Sequence, residues 1–167
     1  MVSSYGAVQI EFWKQFKAML EASSRWKDFE IERKPAAKTV FSFSAQIKSS
    51  PKRKRYTQYH ARITQKEMSV EINIPYKDAD TNTRVWEYLY QHRVEIEQNF
   101  GQKLYWRECD GRIQRQVIFP FNSEVSILNE AKWPEYKDWL FENLTKLKDA
   151  ISEVLPKAHE AADLGRV

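Results

Sequence analysis

"YTQYHARITQKEMSVEINIP", residues 56–75, decides the fold, because it alternates apolar and polar residues twice around a short connection. Thr57, Tyr59, Ala61 and Ile63 fall on one side of the first run, and Tyr56, Gln58, His60 and Arg62 on the other. After "QKE", Met68, Val70, Ile72 and Ile74 share one face while Ser69, Glu71 and Asn73 share the opposite one. A period of two with one apolar face is that of a strand packed on one side. So short a connection makes the two strands antiparallel neighbours.

Working outward, Thr39, Phe41, Phe43, Ala45 and Ile47 alternate in the same way and predict a strand before this pair. "KSSPKRKR" separates them with a Ser-Ser-Pro turn signal, so three strands form a meander. Upstream, Val8, Phe12, Phe16, Met19 and Leu20 follow helical spacing. Downstream, Val85, Leu89, Arg93, Ile96 and Phe100 form the stripe of one helix that stops at Gly101. "KLYWREC" and "RIQRQVIFPF" flank Asp110-Gly111 and read as a hairpin. A long helix with Tyr136, Leu140, Leu144, Leu147, Ile151 and Leu155 on one stripe follows, with Pro134 in its first turn and Pro156 at its end. The expected fold is α+β: order α-β-β-β-α-β-β-α, a mainly antiparallel five-stranded sheet, and helices packed on one face. The expected organisation is a single domain over 1–167, its core about 8–156 and its tail 157–167 frayed or weakly helical.

Composition agrees with one domain: 167 residues, 42% hydrophobic, with four glycines and six prolines. Cys109 is the sole cysteine, which excludes an internal disulfide and a cysteine-rich zinc site. No apolar run approaches the length of a membrane span, and the first residues lack a secretory signal, so no membrane association and a cytoplasmic location are expected.

Charge is concentrated. Residues 48–63 hold six basic residues and no acid, and the other 21 basic residues are outnumbered by 23 acidic ones. Lys52, Arg53, Lys54 and Arg55 on the bend, continued by Arg62 and Arg107, suit phosphate contacts to DNA or RNA without reading sequence. The sheet face away from the helices is expected to be open and to carry His60, Glu71, Asn73, Tyr105, Gln114 and Gln116, a polar surface fit for binding a protein partner or for solvation.

"EFWKQFKAML", "EIEQNFGQKLYWREC" and "EAKWPEYKDWLFENLTKLKDAI" resemble a prokaryotic module known as domain of unknown function 4268, over about Ile10 to Leu155. The resemblance implies a bacterial protein and a module often fused behind restriction-nuclease-like domains, hence a link to DNA metabolism or defence. A nuclease made as a separate chain is one partner it suggests.

The leading αβββαβ order is also similar to PD-(D/E)XK nucleases, which hold a divalent metal with acids on two strands and a lysine two positions on. Here the third strand reads Glu71-Ile72-Asn73 and the second carries no carboxylate, so such a site would be degenerate. His60, His92 and His159 lie in separate elements without metal-ligand spacing. No catalytic residue, metal or cofactor is assigned. Three readings remain: a nucleic-acid-binding accessory domain, a protein-interaction module, and an enzyme, either a degenerate PD-(D/E)XK-like one or an unrecognised one in which Glu71 and His60 act together.

Overall fold

In a computed structural model, which describes residues 3–31, 33–45, 57–74, 78–108 and 115–164, five strands and five α-helices follow the expected path. The strands are β1 (Val40–Ser44), β2 (Gln58–Ile63), β3 (Met68–Ile74), β4 (Tyr105–Glu108) and β5 (Arg115–Pro120). They form one antiparallel sheet in the order β1-β2-β3-β5-β4, which puts β3 at the centre.

The alternation assigns the faces as expected. Phe41, Phe43, Tyr59, Ala61, Ile63, Met68, Val70, Ile72, Ile74 and Val117 point into the core and are buried. The helices cover this face alone. Trp13 of α1 (Ser4–Ala22) stacks on Phe41 at 5.8 Å between ring centroids. Thr83 of α2 (Ala79–Gln91) accepts from Arg115 at 3.0 Å. Phe119 packs between Phe100 of α3 (Arg93–Phe100) and Trp139 of α4 (Trp133–Ile151). Three of the four buried indoles among the described residues keep their N–H groups bonded: Trp13 donates to the Lys38 carbonyl at 2.7 Å, Trp26 to Thr145 Oγ1 at 3.0 Å, and Trp133 to the Ile127 carbonyl at 2.7 Å, while Trp86 Nε1 has no partner there and its ring stacks on Tyr90. Trp26 lies in the irregular stretch after α1, where no period marks it as core, yet it is 1% exposed.

Two expectations need correction. The single helix expected to end at Gly101 is two helices, α2 and α3, broken at His92. His92 Nδ1–H donates to the Tyr88 carbonyl at 2.8 Å and its ring stacks on Tyr88, while its backbone N–H turns to Leu89. The break lets Arg93, which a straight stripe would bury, lie over the Tyr90 ring instead. Gly101 still ends α3, in the left-handed conformation at φ 92°.

The second correction concerns the tail. Pro156 does not end a helix; it stands in the first turn of α5 (Val154–Leu164), where a missing N–H costs nothing. Ala158 and Ala162 of α5 are fully buried, and His159 Nε2 lies 3.2 Å from Thr57 Oγ1. Burial lowers the His159 pKa to about 4, against a smaller upward pull from Asp163. Among the described residues no helix is long and apolar enough to cross a membrane.

A chain that stops at Pro156 gives up the packing of Ala158, His159 and Ala162. We predict that its urea unfolding midpoint falls, with a stability loss well above ~1 kcal/mol. An unchanged midpoint would mean that α5 contributes nothing to the fold.

Candidate functional site

The polar face of the sheet is built from the residues that alternate with the core. Register places His60 opposite Glu71, Arg62 opposite Ser69, Gln58 opposite Asn73, and Gln116 opposite Asn73 on the other side. The face was expected to be open, but its centre is closed: Glu71 and Asn73 are each 2% exposed. The cause is their place on the middle strand, where longer side chains from β2 and β5 lean over them.

Glu71 is the hub. Its Oε1 accepts from Arg62 Nε at 3.0 Å and from Ser69 Oγ at 3.0 Å. Its Oε2 accepts from Gln116 Nε2 at 3.4 Å and stands 3.6 Å from His60 Nδ1. Burial alone would raise the pKa of this carboxyl, but His60 and Arg62 beside it more than reverse that and hold it at about 2. So the β2–β3 register does bring His60 and Glu71 together, as an enzyme built on that pair needs. The carboxylate is nevertheless occupied by protein donors. Among the described residues no three His, Cys, Asp or Glu side chains gather as metal ligands.

The sequence-predicted cations do not form one surface. Lys52, Arg53, Lys54 and Arg55 lie outside the described residues, as does Gln114. Arg62 is spent on Glu71. Arg107 pairs with Gln116, and through β3 aligns with Gln58, four residues along β2 from Arg62. At about 4.8 Å per strand and about 3.4 Å per residue, Arg62 and Arg107 are separated by roughly 14 Å across the sheet and roughly 14 Å along it. Arg107 and Tyr105, the latter 65% exposed, instead border a shallow hollow at the β4 edge with Ile118 and Pro120.

A different set of cations does converge. Residues 33–38 pass over the β1 side of the polar face and are tied at both ends. Arg33 Nη1 donates to Ser42 Oγ at 2.6 Å, and the Lys38 carbonyl takes the Trp13 indole N–H. Between this segment and the sheet lies a cleft of about 300 Å³, lined by Arg33, Lys34, Lys38, Ser42, Gln58, His60 and Asn73, with Trp13, Val40 and Phe41 as its apolar wall. No acid is among its described lining residues. Arg33, Lys34 and Lys38 are exposed and, among the described residues, have no carboxylate partner. Sequence reasoning missed them, and the available signal was three basic residues around Pro35 in a stretch without period.

The network around Glu71 predicts an asymmetric response to mutation. Arg62→Met leaves a buried carboxylate without its cation and should cost roughly 2–4 kcal/mol in urea unfolding, while Arg62→Met with Glu71→Met recovers most of that loss. The pH dependence has a definite sign. Glu71 titrates lower in the folded chain than the ordinary 4.5, so its stabilisation is complete above that value and is lost as pH falls towards about 2. Glu71→Gln should remove this acid-limb dependence. A single Arg62→Met variant as stable as the parent would contradict the account.

The family model described as "Domain of unknown function (DUF4268)" matches residues 8–155. No curated protein and no solved structure gives a significant match. The matched range runs from α1 through the sheet and α4 to the start of α5, and the chain belongs to the DUF4268 family.

Proposed function

We propose that this protein is a non-catalytic accessory domain that binds nucleic acid through phosphate contacts. Its setting on this reading is DNA metabolism or defence in the bacterial cytoplasm, beside a restriction-nuclease-like partner. One observation carries the proposal: Arg33, Lys34 and Lys38 line one side of a cleft with no acid among its described lining residues. Each can neutralise a phosphate and release the counterion held there.

The basic stretch is read as a second source of phosphate contacts. Residues 46–56, which contain Lys52, Arg53, Lys54 and Arg55, leave the described chain after Ala45 and rejoin it at Thr57. Thr57 adjoins Gln58, which lines the cleft and pairs with Ser44. On this reading Lys52, Arg53, Lys54 and Arg55, in the stretch that rejoins the described chain at Thr57, supply further phosphate contacts. Arg62, held by Glu71, is left a supporting role. The donors around Glu71 favour a structural carboxylate over a metal-binding one, which weighs against the degenerate-enzyme reading.

Binding of labelled duplex and single-stranded DNA, followed by fluorescence anisotropy, tests this. Affinity should fall steeply between about 50 and 200 mM salt. Changing Arg33, Lys34 and Lys38 together to Ser should weaken binding to all sequences alike, with a salt slope shallower by about 0.9 for each duplex phosphate that is no longer neutralised. Changing Lys52, Arg53, Lys54 and Arg55 to Ser should do the same. No binding at about 50 mM salt, or a slope that neither variant moves, would overturn the reading.

A further inference from the structure

We infer that the cleft between residues 33–38 and the polar sheet face is a pocket for a phosphate monoester that carries a hydrogen-bond donor, as a nucleoside monophosphate does. The choice of a nucleotide rests on the nucleic-acid reading above, since the same three cations serve both. What goes beyond it is the floor of the cleft.

Asn73 lies on that floor, almost wholly buried, and its Oδ1 has no hydrogen-bond partner. Its neighbour His60 also lines the cleft, with Nε2 facing Gln58 Oε1 at 3.3 Å and Nδ1 turned to Glu71 Oε2 at 3.6 Å. A buried amide oxygen with no donor has lost its water without gaining a partner, which is unfavourable. Backbone-only phosphate binding at the rim would leave that cost in place. A ligand that reaches inward with a hydroxyl or amine would remove it.

The layout separates the two needs. Arg33, Lys34 and Lys38 stand at the exposed rim, where a dianionic phosphate meets three positive charges. Asn73 and His60 stand below, where a sugar hydroxyl or a base amine would fall. The cleft volume of about 300 Å³ is at the small end of ligand pockets, which run from about 300 to 1,000 Å³. A terminal or free nucleotide suits that size better than a continuous duplex. Two sources share this chemistry: a free nucleotide, and the phosphorylated end of a strand.

Calorimetry with the full chain separates them. The probes are adenosine monophosphate, adenosine, and one single-stranded oligonucleotide with and without a terminal 5′-phosphate. The inference predicts that adenosine monophosphate binds about tenfold or more tightly than adenosine, the size of one charge-assisted hydrogen bond. It also predicts that Asn73→Ala and Lys34→Ser each weaken that binding; Lys34 is exposed, so its variant keeps the fold. A preference for the phosphorylated strand end assigns the pocket to termini, and no such preference assigns it to free nucleotides. Adenosine monophosphate binding no better than adenosine, or binding that neither variant alters, overturns the inference. If DNA still binds with salt dependence in that case, the wider reading survives alone. If adenosine monophosphate binds but no strand does, the pocket stands and the wider reading falls.

Discussion

Glu71 sits on the middle strand with its carboxylate out of water, and the Arg62 guanidinium supplies the opposite charge from the neighbouring strand. Ser69 and Gln116 complete the hydrogen bonds that a buried carboxylate needs. The polar face follows from this pairing. Arg62 and Gln116 must lean inward over β3 to reach the charge, which closes the centre of the face and takes Arg62 out of competition for external anions. A buried pair of this kind adds little net stability over an apolar pair, but losing one member is costly. Its effect is to hold the β2–β3 register, in which a slip of one residue would set Glu71 against the apolar core.

With the centre of the face closed, the accessible charge moves to its β1 side. There the chain between α1 and β1 is fastened by Arg33 to Ser42 and by Trp13 to the Lys38 carbonyl, so the cations of the cleft are carried on a segment anchored to both layers of the fold. On the proposed reading this is how the polar side of the sheet presents a phosphate-binding surface. The same Trp13 that stacks on Phe41 in the core holds the cleft wall, so core packing and the candidate site are linked through one side chain.

Much of this was legible in the chain. Period-two alternation found all five strands and their faces, and helical stripes found α1 and α4, because those signals are local and burial enforces them. Other features were not. The break at His92 depends on a side-chain bond to the Tyr88 carbonyl and on where Arg93 can go, neither of which a stripe reveals. Pro156 reads equally as a stop or as a first-turn residue, and the docking of Ala158 and Ala162 decides for the second. The cleft is set by bonds between distant residues, Arg33 with Ser42 and Trp13 with Lys38, in a stretch that has no period of its own. Glu71 was visible as a polar-face acid, but its burial follows from the position of β3 in the sheet order, which alternation does not encode.

The most direct test is a carbon-13 NMR titration of the Glu71 side-chain carboxyl in the folded chain. The account predicts a carboxylate still ionised at pH values where ordinary glutamates, near about 4.3, are already protonated, with its midpoint lowered to about 2. A midpoint in the ordinary glutamate range would contradict it, because Arg62 would then be free and the polar face would not be organised around this pair.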